Sequence, residues 1–149
     1  MTAPVRFQRS NYVVADLDRA LAFYRDVLGL TLEFVKDSPD DSYSYTVFEI
    51  DSARPLRFAV LSAPDQPRVM ALTEIGGGTL PDQALPRRAA IVLDVADVDA
   101  AVAGARALGL KVYPEDRLQT HDDRVGREVG IVDADGNLVV IYKILGRTA

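Results

Sequence analysis

The sequence predicts a mixed α+β fold built from two similar βαβββ modules. The main observation is an internal repeat: residues 14–30 (VADLDRALAFYRDVLGL) are followed, 81 positions later, by residues 95–110 (VADVDAAVAGARALGL). Strand-like stretches with turns between them follow each copy. Hydrophobic residues make up 48% of the 149 positions, which is enough apolar material for a packed core.

Each copy of the repeat predicts a capped amphipathic helix. Asp16 can accept hydrogen bonds from the free N–H groups of a first helical turn. Apolar side chains then recur at the i, i+3, i+4 spacing of one helix face. In the first copy this face comprises Leu17, Ala20, Leu21, Tyr24 and Leu28, and in the second it comprises Val98, Ala101, Val102, Ala105 and Leu108. Gly29 supplies the left-handed residue that ends many helices.

The strands complete the two modules. Module one covers about residues 5–62, with strands predicted over 5–15, 31–35, 43–50 and 56–61. Module two covers about residues 89–145, with strands over 89–95, 111–113, 127–132 and 137–144, and a polar loop over 118–124. The pair Asp135-Gly136 predicts a tight hairpin before the last strand. Residues 63–88 contain four prolines and Gly76–Gly78, and we interpret them as a linker whose glycine run has no assigned role.

Composition argues against several classes of partner. The net charge is −5 and no run of Lys or Arg is present, so we expect no nucleic-acid partner. The absence of cysteine excludes disulfides, thiolate metal sites and cysteine nucleophiles. No apolar run reaches membrane-spanning length, and the N-terminus lacks a signal-peptide pattern. We therefore expect no membrane partner and a cytoplasmic location.

Several short motifs indicate a family. They are Val14-x-Asp16-Leu17, then Ala20, Phe23-Tyr24 and Leu28-Gly29-Leu30, and finally Asp133-x-Asp135-Gly136-Asn137 before the last strand. In this order, and with the repeat, they resemble the vicinal oxygen chelate superfamily of glyoxalases, bleomycin-resistance proteins and extradiol dioxygenases. The resemblance covers about residues 5–145. It implies one domain, residues 1–149, in which the two modules form a half-open curled sheet around a cavity, with the helices outside.

The same resemblance implies where a metal would bind. Enzymes of the superfamily commonly hold one divalent metal with His and Glu from the first and last strands of each module. These positions fall at Arg9 and Ala90 in the first strands, and at Leu61 and Val140 in the last. A guanidinium offers only hydrogen-bond donors and the other three side chains are hydrocarbon, so we expect neither a metal site nor a cofactor.

Two other clusters could be mistaken for metal sites. The lone histidine, His121, precedes Asp122 and Asp123, and we interpret this stretch as a solvated turn. Asp133–Gly136 has its glycine too early for a calcium loop and lacks the glutamate at position twelve. A hairpin turn is the better interpretation of that segment.

Strand alternation selects candidate ligand contacts on the expected cavity face. The candidates are Arg9, Asn11, Tyr45, Glu49, Arg57 and Asp94. Arg9 favours an anionic or carbonyl-bearing ligand held by paired hydrogen bonds. The alternative is that Glu49 or Asp94 neutralises Arg9 in a structural ion pair. The tyrosines also suit core or rim positions.

Three functional hypotheses follow. The first is a protein without metal that binds a small organic molecule, for sequestration or as a metabolite binder. The second is a metal-independent lyase or isomerase that uses Glu49 or a tyrosine as general base. The third is a metal-dependent glyoxalase or dioxygenase with displaced ligands. Open sheet edges favour a homodimer, in which the modules pair within one chain or across the dimer. The ligand, and whether any reaction is catalysed, are left open at this point.

Overall fold

The computed structural model describes residues 2–148 and divides them between two units, each with one β-sheet. The first unit comprises the residues up to Leu17 and Gly29–Leu80, and the second comprises Asp18–Leu28 and the residues from Pro81 onward. The predicted α+β class is confirmed. In chain order the elements are β1 (Ser10–Val14), α1 (Leu17–Leu21), a π-helical segment (Ala22–Val27), β2 (Thr31–Asp37), α2 (Tyr43–Val47), β3 (Leu56–Ala63), β4 (Gln66–Ile75), β5 (Ala90–Asp94), α3 (Val98–Ala107), β6 (Lys111–Val112), β7 (Asp116–Gln119), β8 (Arg124–Val132) and β9 (Leu138–Arg147).

The sheet of the first unit has the strand order β1-β4-β3-β2. Strand β1 runs parallel to β4, and β3 runs antiparallel to both of its neighbours. Asn11 lies opposite Ala71, and Val13 lies opposite Thr73. Strand β4, and not β3, therefore pairs with the first strand of the module, and its central residues are buried between β1 and β3.

The predicted strand over residues 43–50 is wrong. Tyr43–Val47 forms the short helix α2, and the Ser42 hydroxyl caps it by accepting a hydrogen bond from the Ser44 N–H at 3.3 Å. The alternating pattern misled the prediction because its apolar residues do not face a core: Tyr43 is 74% exposed and Val47 is 53% exposed.

The linker predicted for residues 63–88 is wrong over its first half, because Gln66–Ile75 forms β4. The first two of its four prolines do not prevent the strand. Pro64 precedes Asp65, which turns the hairpin with a φ of 59°, and Pro67 lies at the exposed start of the strand. The last strand of module one is therefore β4, not the 56–61 strand. Two smaller differences are that β1 begins at Ser10 and that β7 occupies part of the predicted polar loop.

The sheet of the second unit repeats the plan of the first. Its strand order is β5-β9-β8-β6, with β7 also paired to β8, and β5 runs parallel to β9. Asp97 caps α3 by accepting a hydrogen bond from the Ala100 N–H at 2.9 Å. Gly104 of α3 approaches Val27 so closely that an added Cβ would lie 2.8 Å from the Val27 Cγ1. The first repeat is helical as predicted, but it changes from α to π geometry at Ala22.

The predicted hairpin turn at Asp133–Asn137 is confirmed and is joined to the first helix. The Asp133 carboxylate accepts hydrogen bonds from the backbone N–H groups of Asp135 and Asn137, at 2.9 and 2.8 Å. It also accepts a hydrogen bond from the Tyr24 hydroxyl at 2.8 Å, and both residues are buried. The motif residues Tyr24 and Asp133 therefore stabilise the packing of this helix in the second unit. Within residues 2–148, no helix is both long and apolar enough to cross a bilayer.

Candidate functional site

A cavity of about 170 Å³ lies in the first unit, over one face of its sheet. Its apolar part is formed by Phe58, Val60 and Ala71 of β3 and β4. Its polar part comes from β1 and the residue before it, from β4, and from α2 and the segment that precedes it. It comprises Arg9, Asn11, Ser38, Ser42, Ser44 and Thr73. The lining therefore combines a hydrocarbon surface with hydrogen-bonding groups, which is typical of small-molecule sites.

Thr73 and Asn11 form the polar floor of this cavity. The Thr73 hydroxyl, which is almost fully buried, donates a hydrogen bond to the Asn11 side-chain oxygen at 2.9 Å. This bond fixes the side-chain amide, since its oxygen is already used. The Asn11 Nδ2 N–H groups remain as donors for a ligand.

Arg9 brings the positive charge of the cavity. Its Nε donates to the Arg68 carbonyl oxygen at 3.5 Å, and the side chain is exposed. Among the described residues of the first unit, no carboxylate lies within ion-pair distance of Arg9. The alternative ion pair with Glu49 is therefore not formed. Glu49 instead follows α2 in a left-handed backbone conformation, with a φ of 54°.

The other candidate residues lie outside the cavity lining. Tyr45 is on α2, where its hydroxyl donates to the Arg54 carbonyl oxygen at 2.6 Å. The prediction that Tyr45 and Glu49 share one strand face is wrong, because residues 43–47 are helical. Asp94 ends β5 in the second unit and is exposed. Of the six candidates, the structure brings Arg9 and Asn11 together at this cavity.

Arg57 has a structural partner, Glu74. Its guanidinium donates to both carboxylate oxygens, at 2.7 and 3.1 Å, and Glu74 also accepts a hydrogen bond from the Leu17 N–H at 2.6 Å. Burial acts to raise the pKa of Glu74, but the bonds from Arg57 and Leu17 outweigh it and hold the pKa below its usual value. Arg57 therefore joins neighbouring strands and anchors the start of α1.

Sequence reasoning missed the hydroxyl groups of the cavity. Ser38 and Ser42 lie in the segment before α2, and Ser44 lies in α2, which the alternation predicts as a strand. Thr73 lies in the predicted linker. The serine-rich segment 38–44 was a usable signal. For Thr73, the signal was the apolar run that surrounds it in β4.

The family model of the Glyoxalase/Bleomycin resistance protein/Dioxygenase superfamily matches residues 6–141. The chain belongs to this superfamily. No curated protein matches the sequence significantly.

Solved structures show the same superfamily fold. A glyoxalase family protein of Bacillus cereus is 19% identical, with a TM-score of 0.74 and 97% of each chain covered. The trypanothione-dependent glyoxalase I of Leishmania major is 24% identical, with a TM-score of 0.61, 94% of this chain and 87% of that chain covered. A fosfomycin resistance protein of Mesorhizobium loti is 15% identical, with a TM-score of 0.53 and coverages of 96% and 93%. At these identities the likeness establishes the fold alone.

The metal-binding positions of the superfamily do not fit a metal in this chain. Because β4 is the last strand of module one, the metal position assigned to Leu61 moves to a residue of β4. In module two, Val140 lies opposite Val92, two positions after Ala90. The equivalent residue in module one is Ala71, which lies opposite Asn11, two positions after Arg9. The set is then Arg9, Ala71, Ala90 and Val140, which offers no oxygen, imidazole or thiolate ligand. Over residues 2–148, no three His, Asp or Glu side chains are placed to hold a metal ion.

Proposed function

We propose that this superfamily member binds a small anionic or carbonyl-bearing organic molecule in the cavity of its first unit, without a metal. The observation that carries the proposal is Arg9 at the cavity, with Asn11 beside it and no acidic partner in the described part of its unit. Sequestration of a toxic compound or binding of a metabolite are the two forms that this function takes.

The lining suits such a ligand because each part has a chemical role. The Arg9 guanidinium can donate two parallel hydrogen bonds to a carboxylate or phosphonate, and the Asn11 Nδ2 can donate a third. Hydroxyls of Ser38, Ser42 and Ser44 can donate or accept, so they tolerate several oxygen-bearing groups. The hydrocarbon body of the ligand would contact Phe58 and Val60. A general base at Glu49 does not suit this cavity, because that side chain is exposed beyond α2.

A binding screen of the full-length protein, dialysed against EDTA, tests this proposal. The panel contains organic carboxylates and phosphonates, each with its neutral amide or ester, and calorimetry gives the affinities. We expect an anion to bind with a Kd below about 1 mM and its neutral counterpart to bind at least about tenfold more weakly.

The tightest anion is then titrated into Arg9→Met and Arg6→Met. Arg6 is a matched control, since it is an exposed arginine three positions away that does not line the cavity. Loss of one charge-assisted pair costs about 1.5–3 kcal/mol, so we expect at least tenfold weaker binding in Arg9→Met and no change in Arg6→Met. Near-millimolar or weaker binding of the whole panel, or equal effects of the two variants, would reject the proposal.

The proposal extends to assembly and location. We expect a cytoplasmic homodimer in which residues 1–149 act as one domain, with open sheet edges available for pairing. Light scattering after gel filtration measures the mass. A monomer at micromolar concentration would remove the dimer from the proposal without affecting the cavity.

A further inference from the structure

The second unit contains a tyrosine with two cations around it. Tyr113 follows β6, and its backbone N–H donates to the Gly130 carbonyl oxygen at 2.9 Å. Its ring lies directly over Gly130, where an added Cβ would be 3.2 Å from the Tyr113 Cδ2. The missing side chain at Gly130 therefore allows the ring to lie against the sheet.

Arg87 and Lys111 provide the two positive charges. The Arg87 Nη1 donates to the Tyr113 hydroxyl oxygen at 2.6 Å, and the Lys111 Nζ lies 4.8 Å from the centre of the Tyr113 ring. None of the ion pairs among the described residues of this unit involves Arg87 or Lys111. In a chain with 22 acidic and 17 basic residues, two adjacent cations without a carboxylate partner form a distinct positive patch.

An apolar surface adjoins this patch on the same face of the sheet. Gly130 lies opposite Val140, and Val140 lies opposite Val92, so the three positions form one row across β8, β9 and β5. The Leu138 Cδ1 lies 3.6 Å from the same Cβ position at Gly130, beside the tyrosine ring. Val92 is 61% exposed, which is unusual for a valine in a sheet. Hydrocarbon is therefore accessible next to the two cations.

The next row along this face is acidic. Asp94 lies opposite Tyr142, and Tyr142 lies opposite Glu128. Two residues along a strand span about 7 Å. Lys111 lies opposite Val132, on the other side of the row that contains Val140 and Val92. The carboxylates of Asp94 and Glu128 are therefore separated from Lys111 by this row of valines. The face thus has a basic end and an acidic end with hydrocarbon between them, and an anion is favoured only at the basic end.

We propose that Arg87, Lys111 and Tyr113 form a binding site for the carboxylate of a small organic acid, whose apolar part contacts Leu138, Val140 and Val92. The guanidinium and ammonium groups neutralise and hydrogen-bond the carboxylate, and the phenol donates to it. This site shares no residue with the Arg9 cavity of the first unit. It is therefore additional to the function proposed above and does not depend on it.

Tyr113 also provides a spectroscopic signal for binding. Burial acts to raise the pKa of its hydroxyl, but the hydrogen bond from Arg87 and the positive charges of Arg87 and Lys111 outweigh it and hold the pKa below its usual value of 10. A bound carboxylate competes for these cations and disfavours the phenolate. Binding at this site should therefore raise the pH at which Tyr113 ionises.

The test uses benzoate as the probe and benzamide as its neutral control, at low ionic strength. Ligand-observed NMR gives the affinities for the full-length protein and for Arg9→Met, in which the cavity of the first unit is disabled. Arg87→Met is compared with Arg88→Met, because Arg88 is the adjacent exposed arginine, whereas the hydrogen bond and the cation–π contact with Tyr113 come from Arg87. Absorbance at 295 nm, with Tyr113→Phe subtracted, follows the ionisation of Tyr113 with and without benzoate.

We expect saturable benzoate binding that persists in Arg9→Met, weakens at least about tenfold in Arg87→Met, and is unchanged in Arg88→Met. Benzoate should raise the ionisation midpoint of Tyr113, whereas benzamide should not. If Arg87→Met is unfolded by circular dichroism, Lys111→Met, at an exposed position, replaces it with an expected loss of at least about threefold. The proposal is overturned if no benzoate binding saturates, if benzamide binds as well, or if both arginine variants behave alike. It is also overturned if benzoate leaves the Tyr113 midpoint unchanged.

Discussion

Removing the Tyr24 hydroxyl should weaken the second unit by a measurable and limited amount. Tyr24 is fully buried, and its hydroxyl donates at 2.8 Å to Asp133, which is 6% exposed. In Tyr24→Phe the ring remains and the apolar packing is preserved, so the main loss is one hydrogen bond to a charged group. Such bonds contribute about 1.5–3 kcal/mol.

The lower part of that range is expected, because Asp133 keeps other donors. The backbone N–H groups of Asp135 and Asn137 still hold one carboxylate oxygen, and the Asn137 Nδ2 holds the other at 2.9 Å. We therefore expect a loss of about 2 kcal/mol in the free energy of unfolding. For a chain of this length that corresponds to a fall in Tm of about 4–8 °C.

Urea unfolding followed by far-UV circular dichroism measures the effect, and Tyr43→Phe is the matched control. Tyr43 is 74% exposed, so the same chemical change there should alter the free energy of unfolding by less than about 0.5 kcal/mol. Equal values for the two variants would show that the bond between Tyr24 and Asp133 contributes nothing. The double variant Tyr24→Phe/Asp133→Asn then measures the coupling, which we expect to be at least about 0.5 kcal/mol.

Two further predictions concern single side chains. Because the pKa of Glu74 is lowered in the folded state, its carboxylate stabilises the fold above the usual value of 4.5 and loses this effect as the pH falls through the folded pKa. Glu74→Gln should therefore lower the free energy of unfolding by about 1–2 kcal/mol near pH 7 and by progressively less below pH 4.5. A difference between the variant and the unchanged protein that grows in acid would contradict this expectation. Gly126→Ala should lower the free energy of unfolding by at least about 3 kcal/mol, because the added Cβ would overlap the Lys143 carbonyl oxygen. In Gly146→Ala the added Cβ meets no atom within 4 Å, so the loss should be less than about 1 kcal/mol. Thermal melts of both alanine variants test this, and similar melting temperatures would refute it.

Local patterns predicted the parts of the fold that depend on local chemistry. The repeat located both helices, since caps and apolar spacing are encoded within a few residues. The Asp135-Gly136 pair located its hairpin for the same reason. In β5, the alternation also predicted which side chains lie on the same face of the sheet: Ile91 is half-buried, whereas its neighbour Val92 is exposed on the other face.

The errors occurred where pairing with a distant strand decided the structure. Residues 43–47 alternate like a strand but have no partner in the sheet, so the cap at Ser42 directs them into a helix. Residues 66–75 follow a proline-containing turn and include Pro67, yet they form the strand β4, which pairs with both β1 and β3. Because these two segments were misassigned, Glu49 was placed on the cavity face and Thr73 was missed. The position of Asn11 was predicted correctly because it lies in β1, which pairs with β4, and Arg9 lies two positions before it, just ahead of the strand.

If the cavity of the first unit binds its ligand without a metal, the affinity for that ligand should not depend on added metal ions. The tightest-binding anion is titrated calorimetrically into EDTA-dialysed protein, alone and with added Zn²⁺, Ni²⁺ or Mn²⁺. If Arg9 supplies the charge, the Kd should agree within about twofold in all four titrations. Binding that appears only after a metal ion is added would contradict the central claim.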